Sequence, residues 1–267
     1  AKLNIDVKVI LPRYKCIPQK FQEKMEYRGS FDMNLCSDGK QYYVGIMEYQ
    51  EDGVVYDFID NDEFFSWGNP YTNLIDDIPK FCYFAKAALA ALNYLNWTPD
   101  VVHCHDWQAA LVPLYLRTCF QDTDVGRAIS VLTIHNLKFQ GIYDRKKIQY
   151  WSGLPDYVFN KDCLTQNWLD ANMLKGGITY CNKLTTITLP ASLTSLSGAA
   201  LNGLSRLTEV KVADGNNSFK VASDNNTITA GNGKNNIGIS GSGNTLTSGN
   251  SSGTVNINGD NNDVTLL

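Results

Sequence analysis

The sequence predicts an α/β fold built on a parallel sheet, followed by a small β-repeat, solenoid-like region. Three observations carry that reading. Strand-sized apolar runs alternate with helical periodicity through the first two thirds of the chain. All five Trp lie at or before Trp168, and Phe219 is the only aromatic beyond Thr188. Beyond Asn226, apolar residues recur every nine residues in an Asn/Gly/Ser/Thr-rich background.

The 267 residues allow one large domain or two small ones, and the hydrophobic fraction of 43% is that of a globular protein. The net charge is −4, with no block of Lys and Arg to track a phosphate backbone, so no nucleic-acid partner is expected. There is no run of about eighteen apolar residues, hence no expected membrane span, and no signal peptide is recognised at the start. Seven scattered cysteines (16, 36, 82, 104, 119, 163 and 181) lack CxxC spacing. They read as reduced thiols of a cytoplasmic protein rather than a disulfide framework or a zinc site.

Ile5–Leu11 alternates, turns apolar and stops at Pro12, the pattern of a largely buried parallel strand. Residues 42–47 and 54–59 read as two further strands. Between Asp77 and Leu95, the residues Ile78, Phe81, Phe84, Ala88, Leu92 and Leu95 recur at three- and four-residue steps, a helix stripe that Pro99 ends. A short strand at 100–103, a helix from about Trp107 to Cys119 with Pro113 inside it, and a strand at 130–135 complete a βαβ pattern.

Ligands of such sheets bind at the carboxyl ends of the strands. His103, His105, Asp106, His135 and Asn136 all fall there, and these include all three histidines of the chain. His103-Cys-His-Asp106 offers two imidazoles and a carboxylate within four residues, a possible metal cluster and the basis of a metal-dependent hydrolase reading. The strand is ending there, however, and only His135 could add another imidazole. A hydrogen-bonded His103 at a strand end is simpler, so no metal is expected. His135-Asn136 followed by Gln140-Gly141 places donors and acceptors over the sheet edge, as hydroxyl recognition requires; a loop that merely caps the next segment would look the same.

Leu184-Thr-Thr-Ile-Thr-Leu returns 23 residues later as Leu207-Thr-Glu-Val-Lys-Val, pairing Ile187 with Val210 and Leu189 with Val212. Leu193, Leu196, Ala200 and Leu204 fill the interval. This resembles short leucine-rich repeats of the BspA type, in which units bury their apolar face by stacking. Ile228, Ile237, Leu246, Val255 and Val264 stand nine apart, but the match is better at eighteen: Thr227–Asn232 aligns with Thr245–Asn250. A β-solenoid coil of two short strands is expected, with Asn and Gly at corners where positive φ is cheapest. The GGxGxD pattern of calcium-binding rolls is absent.

Several ordered motifs resemble the bacterial glycogen and starch synthases, retaining glycosyltransferases of the GT-B class, family 5. They are Val7-Lys-Val-Ile-Leu-Pro-Arg-Tyr14, Tyr56-Asp-Phe-Ile-Asp-Asn61 with Phe64-Phe65, Phe81-Cys-Tyr-Phe-Ala-Lys-Ala-Ala-Leu89, Pro99-Asp-Val-Val-His-Cys-His-Asp-Trp-Gln108, Leu132-Thr-Ile-His-Asn-Leu-Lys-Phe-Gln-Gly-Ile142 and Met173-Leu-Lys-Gly-Gly-Ile-Thr-Tyr180. The resemblance implies a Rossmann-like sheet, here an incomplete GT-B N-terminal domain. It also implies transfer of glucose from ADP-glucose to the non-reducing end of an α-1,4-glucan, without metal or other cofactor. His135 would contact the transferred glucose and its developing charge, and Asp106 would help shape the cleft. Asn136, Gln140, Gly141 and His105 would line the sugar edge, and Tyr71 sits where the family has an aromatic residue near the sugar.

The family's Lys-x-Gly-Gly-Leu loop would precede Ala1. Its phosphate clamp and catalytic-region Glu belong to a second Rossmann-like domain that is not recognisable after Lys183. Electrostatic stabilisation of the departing diphosphate is usually the dominant contribution to such catalysis, so the chain alone is expected to be inactive. Cys181-Asn-Lys-Leu-Thr-Thr-Ile187 fits both the synthase and the repeat pattern, which places the seam of a truncated or chimeric product there. The expected division is a synthase fragment at 1–185, a leucine-rich-repeat-like segment at 186–222 and an Asn/Gly-rich tail at 223–267. A different class of reading is a non-catalytic carbohydrate-binding or cell-surface adhesion protein in which the repeats matter most. Oligomeric state is not legible.

Overall fold

The computed structural model describes residues 5–66, 69–189, 207–250 and 252–267. Trp67 and Gly68, and the expected repeat positions Leu193, Leu196, Ala200 and Leu204, lie outside the described residues. The elements in chain order are β1 (Lys8–Pro12), α1 (Gln19–Gln22), β2 (Glu26–Asn34), β3 (Gln41–Glu51), β4 (Val54–Asp60), α2 (Asp62–Phe65), α3 (Leu74–Tyr94), β5 (Val101–His105), α4 (Val112–Arg117) and β6 (Ile129–Ile134). They continue with β7 (Ile142–Asp144), α5 (Arg145–Ser152), β8 (Asp170–Asn172), α6 (Met173–Tyr180), β9 (Lys183–Leu189), β10 (Leu207–Val212), β11 (Ser218–Val221), β12 (Thr227–Ala230), β13 (Asn236–Ile239), β14 (Thr245–Ser248), β15 (Val255–Ile257) and β16 (Asp263–Leu266). None of the described helices is long and apolar enough to cross a membrane, and all seven cysteines are free thiols.

Two compact units divide the chain. The first comprises 1–100, 114–128 and 141–176. Its main sheet has the order β1-β4-β3-β2, with β1 parallel to β4 and β3 antiparallel to both neighbours. Thus 42–47 and 54–59 are strands, as the sequence predicts, and form the arms of a hairpin whose second arm also pairs in parallel with β1. The long helix α3 starts earlier than the apolar stripe suggests, because Asn73 caps it, its Oδ1 accepting from the Asp76 amide at 3.2 Å. Its predicted stripe is buried at Ile78, Phe81, Phe84, Ala88 and Leu92. The unit's core gathers Tyr42, Val44, Ile46 and Ile59 of the sheet with Phe64, Phe65, Tyr83 and Phe84. Phe64 stacks on Tyr83 at 4.5 Å between ring centroids. Asn61 turns the chain from β4 into α2: its Oδ1 accepts from the Glu63 amide at 2.8 Å and its Nδ2 donates to the Tyr43 carbonyl at 2.7 Å.

The second unit comprises 101–113, 129–140 and 177–267. It holds a seven-stranded sheet of order β16-β14-β12-β10-β9-β6-β5, every neighbouring pair parallel. Parallel order β5-β6-β9 gives this part the α/β, Rossmann-like character expected. Strand β9 pairs with β6 on one side and with β10 on the other, where Leu184 faces Leu207 and Ile187 faces Val210. The expected boundary at 185/186 therefore falls inside one strand of a continuous sheet. The predicted helix at 107–119 is shorter, a 3-10 turn at Trp107–Ala109 followed by α4.

Beyond β10, partners are eighteen residues apart: Val210–Ile228, Ile228–Leu246 and Leu246–Val264 in the large sheet, Phe219–Ile237 and Ile237–Val255 in a second parallel sheet of β11, β13 and β15. Side chains alternate as the period-2 pattern requires, with Val210, Phe219, Val221, Ile228, Ile237, Ile239 and Leu246 all buried. Buried asparagines precede successive strands and bond along the stack: Asn226 Nδ2 donates to Asn244 Oδ1 at 2.9 Å, Asn244 Nδ2 to Asn262 Oδ1 at 3.1 Å, and Asn217 Nδ2 to Asn235 Oδ1 at 3.0 Å. Gly243 takes a corner at φ +69°.

Candidate functional site

The site sits where β5 and β6 of the second unit end side by side. His103 pairs with Val131, Cys104 with Leu132 and His105 with Thr133. The period of two sends Cys104 into the core and leaves both His103 and His105 on the exposed side. Their rings lie 4.3 Å apart. His103 Nε2 is bonded to Thr133 Oγ1 at 2.8 Å, as expected of a satisfied histidine at a strand end.

Asp106 terminates β5 with φ +57° and ψ −170°. This is a region of backbone space almost confined to glycine, and holding a side chain there costs about 1–3 kcal/mol. Three hydrogen bonds fix it. Its amide donates to the Thr133 carbonyl at 2.9 Å. Its Oδ1 accepts from the His135 amide at 2.7 Å and from the Asn136 amide at 3.4 Å. Asp106 therefore clamps the turn after β6 to the end of β5.

His135 completes a chain of rings. Its Nε2 lies 3.0 Å from His105 Nδ1, and the two rings are close to parallel, 22° apart. Burial, then the neighbouring His135, pushes the His103 pKa down. For His105 burial is again the main cause, followed by His103 and His135, with Asp106 pulling the other way. Crowded imidazoles disfavour one another's charged forms. Among the described residues no group of three or more His, Cys, Asp and Glu is arranged to hold a metal ion.

Asn136 and Gln140 shape the following loop. Asn136 Oδ1 accepts from the Lys138 amide at 3.0 Å, and Gln140 Nε2 donates to the Leu137 carbonyl at 3.0 Å. The structure thus brings His105, Asp106, His135 and Asn136 together, with Gln140 closing the same loop. Tyr71 and Gly141 belong to the first unit. Tyr71 is exposed, with its ring 6.2 Å from Phe81. Gly141 has φ +61°, and its carbonyl accepts from the Met173 amide at 3.2 Å.

The strain at Asp106, the Thr133 anchor and the His105–His135 bond have no signature in a linear sequence. Nor has the buried Lys80, whose Nζ donates to Asp77 Oδ1 at 2.9 Å and to the Pro70 carbonyl at 3.3 Å, while Asp77 accepts from the Thr72 amide and hydroxyl. That cluster fixes the loop carrying Tyr71.

Comparison with known proteins identifies relatives of the N-terminal part of the chain. The family model described as the starch synthase catalytic domain matches residues 1–188. A glycogen synthase of Lachnoclostridium phytofermentans is 44% identical over 209 residues, covering 77% of this chain and 43% of that protein. A glycogen synthase of Finegoldia magna is 34% identical over 217 residues, covering 79% of this chain and 44% of that protein. The catalytic domain of starch synthase IV from Arabidopsis thaliana, solved bound to ADP and acarbose, superposes with a TM-score of 0.60 at 27% identity, over 70% of this chain and 38% of that one. The chain spans less than half the length of these relatives.

Proposed function

The chain belongs, through residues 1–188, to the family of starch synthase catalytic domains, and on that premise we propose that the β5–β6 edge is the sugar-facing half of a glycosyltransferase site. The reaction is transfer of glucose from ADP-glucose to the non-reducing end of an α-1,4-glucan, with no metal or other cofactor. The carrying observation is the clamp of Asp106 on the His135 and Asn136 amides, which holds a neutral, hydrogen-bonding edge at the carboxyl ends of parallel strands, where ligands of such sheets bind. His135 presents its ring to the glucose; Asp106 orients it, its Oδ1 holding the His135 and Asn136 amides. Asn136, Gln140 and His105 are the remaining candidates for sugar contacts at this edge; Tyr71 and Gly141 lie in the first unit and are not placed with them. The relatives named glycogen synthase and the starch synthase solved with ADP and acarbose support the choice of substrates.

We propose that the 267-residue chain by itself binds glucan without transferring glucose, since the family match covers 1–188 and these residues hold the sugar-facing half of the site. We read 207–267 as a β-solenoid-like stack, on the strength of the eighteen-residue pairing and the asparagine rungs. The experiment is a calorimetric titration of the purified chain with a linear α-1,4-glucan, paired with an elongation assay using ADP-glucose. Saturable binding weakened by His135→Ala, without elongation, is the expected outcome. No binding to the wild-type chain, or binding indifferent to His135→Ala, overturns the assignment.

A further inference from the structure

We infer that His105 is a positioning residue that ties the tautomer of His135 to its own. The inference rests on the sugar-edge reading for its functional meaning, but its physical content stands on the geometry alone.

Two neutral imidazoles carry one N–H each. His105 Nδ1 and His135 Nε2 face each other at 3.0 Å, a distance that requires one proton between them. Two protons would collide, and none would leave two lone pairs opposed. If His105 carries its proton on Nδ1, His135 must leave Nε2 bare and be protonated on Nδ1. If His135 carries its proton on Nε2, His105 must leave Nδ1 bare and be protonated on Nε2. The two rings are therefore either both Nδ1–H or both Nε2–H, and mixed combinations are excluded.

The surroundings make this a fixed device. His105 has a ring neighbour in each of the other two histidines, with centroids 4.3 Å from His103 and 5.2 Å from His135. His103 is tied to Thr133 at 2.8 Å on β6. The backbone of His135 is held by Asp106 at 2.7 Å. With Nε2 engaged by His105, Nδ1 is the ring atom of His135 left to meet a hydroxyl. Whether that atom donates or accepts is then set by His105. This is how an outer partner dictates the chemistry of a working histidine.

The test is a long-range ¹H–¹⁵N correlation spectrum of the uniformly ¹⁵N-labelled, full 267-residue chain at about pH 8, above the reference imidazole value of about 6.5. The chain has three histidines, so only three imidazole patterns need assigning. The expected result is the same tautomer for His105 and His135. In His105→Ala, His135 shifts toward the averaged pattern of an unconstrained ring, and His105→Gln, which can donate or accept, restores a single tautomer. Opposite tautomers in the wild-type chain overturn the inference, as does a His135 pattern unchanged by His105→Ala. Should His105→Ala not fold, the wild-type tautomers decide alone. Adding maltotriose separates the two claims: a shared tautomer with no response to the sugar leaves the pairing intact and sinks the sugar-edge reading, and the converse sinks only the pairing.

Discussion

Asp106 and His135 are joined through a side chain and a backbone: the carboxylate of Asp106, whose own backbone is held at φ +57°, accepts a hydrogen bond from the His135 amide at 2.7 Å. The bond spans 29 positions of sequence and couples the ends of two parallel strands. It offsets the local strain and sets the direction in which the His135 ring leaves the sheet.

Removing that acceptor exposes the amides it satisfies. His135 is exposed, so the loss is the net worth of a single hydrogen bond, about 0.5–1.5 kcal/mol, and Asp106→Ala should lower hydrogen-exchange protection of the His135 amide by about threefold to tenfold. Asp106→Asn, which keeps an acceptor oxygen, should lose about threefold or less. Site-resolved exchange by NMR checks both, and equal protection in wild type and Asp106→Ala would contradict the clamp.

The histidine stack makes the edge sensitive to acid. The pKa values of His103 and His105 are lowered on folding, so between the folded and unfolded values the unfolded state binds more protons. Their contribution is fully present above the unfolded value of about 6.5 and is lost as pH falls through the lowered folded values. Protection of the β5 and β6 amides, measured as exchange relative to the intrinsic rate at each pH, should therefore fall from about pH 6.5 downward. His105→Gln should flatten that dependence. A pH-independent profile from neutral to mildly acid conditions would be the opposing result.

Lys80 and Asp77 form a buried pair in the first unit, with side chains 2% and 6% exposed. Breaking such a pair from one side strands a charge and costs about 3–5 kcal/mol. Lys80→Met should therefore destabilise more than the double change Lys80→Met with Asp77→Asn, as read from urea midpoints followed at the tryptophans. Equal or additive losses would argue against the pairing.

The asparagine rungs predict a sharp positional effect. Asn244 Oδ1 receives both the amide and Nδ2 of Asn226, and Asn244 Nδ2 reaches Asn262. Asn244→Ala should cost about 2–4 kcal/mol through orphaned buried donors, whereas exposed Thr245→Ala should change stability by no more than about 0.5 kcal/mol. Similar midpoints for the two variants would contradict the ladder.

Much of the fold is legible in the sequence, for identifiable reasons. Helix α3 announces itself because Ile78, Phe81, Phe84, Ala88 and Leu92 must all face one core. The eighteen-residue pairing is visible because each repeat meets the same burial problem. The His103–Asn136 edge follows from a rule about strand ends. Strand β2 carries no such signal: its exposed half holds Glu26, Tyr27 and Arg28, and Gly29, at φ +137°, interrupts its register with β3. The Asp106 clamp, the His105–His135 bond and the Lys80–Asp77 pair depend on side-chain directions and loop paths, which periodicity does not encode. A division after residue 185 reflects the change in composition but not the hydrogen bonding, since β9 belongs to one sheet with β6 and β10.

The most direct test of the sugar-edge assignment is a ¹H–¹⁵N chemical-shift map of the 267-residue chain titrated with an α-1,4-glucan. Perturbations concentrated at Asp106, His135 and Asn136, and abolished by His135→Ala, are the predicted result. A response confined to 207–267, or none at the β5–β6 edge at saturating glucan, would contradict it.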